Sequence, residues 1–204
     1  TAGGPLSLNT ADLGALDGGA LEGVAAERAY CPWIDMEASL RSSNLPLSSL
    51  ETGRPLNGFD VVGFTLQYEL TATNILTMLD LGGIPLRSEN RREKDPLVMA
   101  GGPGALAPEP LAPFIDFFCL GDGEELLPAV LDVLAETRGK RRQERIASLA
   151  SLPGVYVPGL SNCLFSGKGC LVRSEQPLPI KRQFVKDLDT MFAPSTLVVP
   201  NTGI

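Results

Sequence analysis

Two short apolar runs that end on glycine limit the possible folds of this chain more than any other feature. Leu97-Val-Met-Ala-Gly-Gly-Pro103 and Phe117-Phe-Cys-Leu-Gly-Asp-Gly-Glu-Glu125 each keep an apolar character for four residues and then break into a turn. A strand buried on both faces reads as such a run, because helices cover it above and below. Glycine at the carboxyl end lets the backbone turn tightly and come close to whatever lies beyond it. In open α/β sheets that end is where ligands sit. The two turns therefore read as neighbouring walls of one crevice.

A third unit of the same kind precedes them. Asp60-Val-Val-Gly-Phe-Thr-Leu66 predicts a core strand and Gln67-Tyr-Glu-Leu70 a loop. A helix follows from Thr71 or Thr73, with Ala72, Ile75, Leu76 and Leu79 at helical spacing. Gly82-Gly83 ends it and Ile84-Pro85 prevents its continuation. After the second strand, Pro103, Pro108, Pro110 and Pro113 rule out one clean crossover helix and leave a helical turn near residues 109–114. The best helix opens after Gly121-Asp-Gly-Glu-Glu125, with Leu126, Leu127, Val130, Leu131 and Leu134 as its buried stripe. Pro128 belongs in a first turn, which places the helix start near Glu124 and leaves Gly121, Asp122 and Gly123 as a binding turn. Three strand–turn–helix units imply an α/β fold: an open parallel sheet with right-handed crossovers and helices on both faces.

The flanks are less regular. Residues 1–26 are rich in glycine and alanine. A helix from Thr10 toward Ala26 would carry Gly14, Gly18, Gly19 and Gly23 at about 1 kcal/mol each, so this segment reads as irregular. Residues 27–31 form a candidate edge strand halted by Pro32. Residues 35–41 follow as a short helix resting on Ile34, Met36 and Leu40, and residues 47–50 as a second edge strand. The runs 87–95 and 138–145 read as solvated charge, the second leading into an amphipathic segment at 146–152. From Pro153 to residue 204 the chain is rich in glycine and proline, with short β-like pieces at 154–157, 169–173 and 195–200, and reads as a linker. The α/β domain proper then spans residues 27–152.

Composition removes several functions. The 204 residues contain no histidine, which excludes a Ser-His-Asp triad, an imidazole proton shuttle and histidine-ligated zinc. Such a chain holds something rather than converting it. The net charge of −7 argues against a nucleic-acid partner. No apolar run has the ~20 residues of a membrane helix, and no basic and apolar leader opens the chain. Cys31, Cys119, Cys163 and Cys170 form no CxxC pair, so reduced thiols and a cytoplasmic location are the expectation. Cys119 reads as a small buried hydrophobe, and Cys163 and Cys170 receive no role.

Of the glycine turns, Gly102-Pro-Gly104-Ala-Leu-Ala107 matches the dinucleotide pattern GxGxxA, but proline fills its first variable position and no helix follows to face a pyrophosphate. The acids of Gly121-Asp-Gly-Glu-Glu125 repel phosphate. They either complement the dipole of the following helix or flank a turn whose N–H groups bind a neutral, amide-rich ligand. Glu69 reads as a surface carboxylate.

Taken as a series, Cys31-Pro-Trp-Ile-Asp-Met-Glu37, Phe59-Asp-Val-Val-Gly-Phe-Thr-Leu-Gln-Tyr-Glu-Leu70, Asn74-Ile-Leu-Thr-Met-Leu-Asp-Leu-Gly-Gly-Ile-Pro-Leu86, Ala100-Gly-Gly-Pro103 and Gly121-Asp-Gly-Glu-Glu125 resemble the N-terminal cobalamin-binding-like domain of radical S-adenosylmethionine proteins. The likeness is to the branch described as Fe–S oxidoreductases, over residues 27–200. It implies a flavodoxin-like or Rossmann-like sheet with a corrinoid over its strand ends. The matching loop positions are Thr65, Leu66 and Gln67; Gly101, Gly102 and Pro103; and Gly121, Asp122, Gly123 and Glu124. The histidine of Asp-x-His-x-x-Gly is missing, so cobalamin would be held without histidine ligation. The resemblance also implies a continuation past Val198-Val-Pro-Asn201 into a barrel whose CxxxCxxC binds a [4Fe–4S] cluster and S-adenosylmethionine. That radical-SAM domain would be this module's partner, acting on a substrate the sequence does not name. The alternative is a degenerate module without corrinoid, serving as an interdomain scaffold or binding the substrate or a partner. A nucleotide or flavin site in the same crevice is a third reading.

Overall fold

The computed structural model describes residues 6–10, 24–161, 164–165, 167, 171–173, 176, 178–187 and 189. Its centre is a six-stranded sheet in the order β2-β1-β3-β4-β5-β6. The strands are β1 Leu6–Thr10, β2 Val24–Arg28, β3 Val61–Thr65, β4 Leu97–Gly101, β5 Phe117–Cys119 and β6 Val155–Tyr156. All pairings are parallel except that of β6 with β5. The first five strands follow the flavodoxin order, with a topological switch between β1 and β3. The helices are α1 Ile34–Ser43, α2 Thr71–Leu81, α3 Gly123–Glu136, α4 Arg142–Leu149 and the single turn α5 Pro158–Ser161. A small antiparallel pair, β7 Leu164–Phe165 and β8 Leu171–Arg173, stands apart from the main sheet.

Alternation along the strands divides the core in two. Val62, Phe64, Val98, Ala100 and Phe118 pack with Ile75, Met78 and Leu79 of α2, and with Leu40 of α1. Val61, Leu97, Met99, Phe117 and Cys119 pack with the α3 stripe and with Leu149 of α4. All five residues expected for that stripe are buried. Helices thus cover both faces, as the unbroken apolar runs of β3, β4 and β5 require. The Cys119 thiol sits in this core, where burial pushes its pKa up to about 12.

Several expectations need correction. The segment expected to be irregular contains β1 and the start of β2. Leu6-Ser-Leu-Asn-Thr10 alternates for only five residues in a glycine-rich setting, and pairing with β2 and β3 on both sides supplies what local propensity lacks. Residues 11–23, where the weak helix was expected, lie outside the described residues. The edge strand begins three residues earlier than expected, at Val24. Residues 47–50 form no strand, only an isolated bridge between Ser48 and Pro55. In α1, Ile34 and Met36 are exposed and Leu40 alone of the three expected contacts packs inward. Pro128 is the sixth residue of α3, not part of its first turn, because the helix already starts at Gly123. The expected linker is drawn into the sheet at β6, whose ladder ends against the buried side chain of Gln176. That amide accepts from Val157 N–H (3.0 Å) and donates to the Val155 carbonyl (2.8 Å). Cys163, Cys170 and residues 190–204 lie outside the described residues.

The largest correction concerns the charge runs, because an arginine from each is buried. The side chain of Asp116, just before β5, is 2 % exposed, and its Oδ2 accepts from Arg91 (3.0 Å), Arg142 (2.6 Å) and the Val98 N–H (2.7 Å). Arg91 also donates to the carbonyls of Pro85, Leu86 and Phe114, and Arg142 to those of Asp95 and Pro96. Burial lowers the Arg91 pKa, and the attraction of Asp116 opposes that shift. Five backbone carbonyls and one carboxylate together make two buried guanidiniums tolerable. The cluster locks the amino-terminal end of the sheet, opposite the glycine turns.

Candidate functional site

The sheet's carboxyl end is built from three loops that lean on one another. Thr65 ends β3 in register with Gly101, which ends β4. Leu66 is buried. Its N–H donates to the Gly101 carbonyl (2.7 Å), and its own carbonyl accepts from Gly104 N–H (2.8 Å). Gly102 has φ +91°, and a Cβ there would lie 3.0 Å from the Leu66 carbonyl oxygen and 3.2 Å from Thr65 Cγ2. The close approach that requires glycine is thus chain against chain. Pro103 starts a 3₁₀ turn, Pro103–Leu106, in place of a helix able to receive a phosphate.

The loop after β5 is held by the chain's own later segment. Residues 178–185 cross this end as a strap. Gln183 N–H donates to the Leu120 carbonyl (2.8 Å), Asp122 N–H donates to the Gln183 carbonyl (3.1 Å), and the Asp122 carboxylate accepts from Val185 N–H (2.9 Å). Gly121, with φ +112°, forms a parallel bridge to Gln183, and a Cβ at this position would overlap the Gln183 backbone. Asp122 occupies the N-cap position of α3 but makes no side-chain cap. Glu124 and Glu125 lie exposed in the first turn, where acids complement the helix dipole. Gly123 opens onto free space.

Two of the concavities at this end are lined by the expected loop residues. One, of about 230 Å³, lies between Gly102 and Pro103 on one side and Gly121 and Asp122 on the other, with Arg182 of the strap as a wall. The larger, about 470 Å³, lies between the loops after β3 and β4, with Gln67, Tyr68 and Glu69 on one bank and Pro103, Gly104 and Leu106 on the other. The ten expected positions share one end of the sheet. Of them, Leu66, Gln67 and Pro103 line the larger groove, and Gly102, Pro103, Gly121 and Asp122 line the smaller concavity. Arg182, Gln183 and Val185 carried no sequence signal, since they meet the glycine turn about sixty residues downstream of it. Among the described residues, no group of three or more Cys, Asp or Glu is arranged to hold a metal ion, and no helix is long and apolar enough to cross a membrane.

A mostly parallel sheet in the flavodoxin order, with helices on both faces, defines an α/β domain of the Rossmann- or flavodoxin-like kind. A family model described as radical SAM proteins, N-terminal, matches residues 19–158, more than half of the chain, and the chain belongs to that family. No curated protein and no solved structure matches it.

Proposed function

We propose that this chain is a non-catalytic accessory module of a radical SAM protein, a scaffold for the catalytic domain rather than a corrinoid carrier. The observation that carries this reading is the strap. A corrin is ringed with amides and needs backbone partners at the strand ends. At β5 the Asp122 N–H and the Asp122 carboxylate are spent on Gln183 and Val185, and the space in front of Gly121 is filled by the Gln183 backbone. The described residues of the β5 turn do not fit such a guest. The chain also has no imidazole to offer cobalt. In this reading the [4Fe–4S] cluster, S-adenosylmethionine and the substrate all belong to the barrel that follows.

The larger groove favours a second reading, in which a corrinoid rests on the β3 and β4 loops alone. Its volume lies within the usual range for small-molecule sites. A spectral titration with hydroxocobalamin separates the two. The scaffold reading expects no band shift and no colour retained after desalting. Retention with a shifted spectrum would overturn it and restore the corrinoid.

A further inference from the structure

We infer that a separate groove, at the β5–β6 margin of the sheet, is a binding site for a small apolar molecule that carries an amine. The groove encloses about 460 Å³ and is lined by Pro108 and Glu109, by Leu120 and Tyr156, and by residues 178–180 of the strap. Its origin lies in the sequence. The prolines after β4 replace a crossover helix with two 3₁₀ turns, Pro103–Leu106 and Glu109–Leu111. The face of the sheet that carries Phe118 and Tyr156 therefore meets Pro108, Glu109 and the strap near β6, with a gap left between them.

The lining identifies the occupant. Its side chains are apolar apart from two that are joined: the Tyr156 hydroxyl donates to Glu109 Oε1 (3.0 Å). The Tyr156 ring is buried and stacks on Phe118, with centroids 6.0 Å apart, so it holds the exposed carboxylate in place. Among the described residues, no donor reaches the second oxygen, Oε2. Glu109 is also the only charged residue in the lining. The strap's Lys181, Arg182 and Lys186 are exposed but do not line this groove, and Arg182 instead walls the smaller concavity beside Asp122. A held carboxylate beside an apolar space attracts a cationic N–H donor and repels a carboxylate or phosphate. The volume lies in the range of small-molecule sites and is too small for a helix, about 10–12 Å across with its side chains.

Methyl-detected NMR of the full-length protein at pH 7 tests this, with 2-phenylethylamine, 2-phenylethanol and phenylacetate as probes. The amine should give saturable shifts at the methyls of Leu120, Leu178 and Ile180. The neutral alcohol should bind roughly tenfold more weakly, because it loses the charge-assisted bond, and the carboxylate more weakly still. Glu109→Gln, at an exposed position, should bring the amine down to the affinity of the alcohol. Unchanged binding of the alcohol by that variant shows that the groove is still formed. Leu178→Lys, which sets a cation in the lining while keeping Glu109, should weaken the amine more than the alcohol. Equal affinities for the three probes, or a preference for the amine that survives Glu109→Gln, would overturn the proposal. So would shifts centred on Leu66 and Leu111 in the other groove, or no saturable shift, as when a later segment of the protein fills the space.

Discussion

Replacing Asp116 with asparagine should be among the most damaging single substitutions in this domain. Among the described residues, the carboxylate is the only anion that hydrogen-bonds the guanidiniums of both Arg91 and Arg142, and all three side chains are buried. Asparagine keeps the shape but leaves two cations facing a neutral amide. A single oxygen, Oδ2, accepts from both guanidiniums, and an amide carbonyl can take its place but not its charge. Removing one partner from a buried ion pair costs about 3–5 kcal/mol, because the remaining charge can neither be solvated nor matched. A domain of this kind has about 5–15 kcal/mol in total. With a urea dependence of about 2 kcal/mol per molar, the midpoint should fall by roughly 2 M, followed by far-UV circular dichroism. Arg91→Met should cost less, since Arg142 then holds Asp116 alone. The Arg91→Met, Asp116→Asn double variant should be more stable than the sum of the two losses by more than about 1 kcal/mol. If Asp116→Asn stays within about 0.5 kcal/mol of the parent, as a surface substitution would, the cluster is solvated and the account given of it is wrong.

Three further outcomes follow from the geometry. Gly121→Ala combines a φ of +112° with a Cβ placed on the Gln183 backbone. It should cost about 1–3 kcal/mol and speed amide exchange at Gln183 and Val185; unchanged exchange there would contradict the described strap. Peptide-resolved alkylation at pH 8 should leave Cys119 unmodified in the folded protein, because burial holds its thiol up at about 12, while the half-exposed Cys31 reacts slowly, its pKa raised by burial and by Glu37. Rapid labelling of Cys119 would refute its place in the core. Partial burial pushes the Glu51 carboxyl up, but hydrogen bonds from the Arg28 side chain and backbone N–H outweigh this and hold its pKa below 4.5. The small stabilisation from this pair should therefore be complete above pH 4.5 and lost as the pH falls through the lowered value. A Glu51 titration followed by NMR, unchanged on Arg28→Ala, would refute the assignment.

The parts of the fold that were legible in the sequence are those whose patterns are local and long. The apolar runs of β3, β4 and β5 and the stripe of α3 announce their burial through spacing alone, and two buried faces then imply the doubly wound sheet. β1 was not legible, because five alternating residues between glycines carry little propensity and gain their order from neighbours on both sides. Arg91 and Arg142 sit in runs with the texture of solvated surface. Only the fold reveals that each meets Asp116, 25 and 26 residues away. At the candidate site the glycines were legible as places of close approach, but not what approaches. At Gly102 it is the Leu66 backbone and at Gly121 it is Gln183, both segments of this chain. Pro128 illustrates a smaller failure: proline fits a first turn best, yet α3 gains enough from its buried stripe to begin five residues ahead of it.

The Gln176 amide has a consequence for how these molecules behave in a crowd. A strand at the margin of a sheet offers a row of unmatched donors and acceptors to any extended peptide that passes, which is how sheets grow from one molecule into the next. At β6 the outward-facing Val155 carbonyl and Val157 N–H are both taken by one side chain, in the two-bond pattern a seventh strand would have used. Among the described residues, one side chain closes the sheet there. A change to leucine at Gln176 would keep the bulk of that side chain while handing the margin back to whatever chain came next.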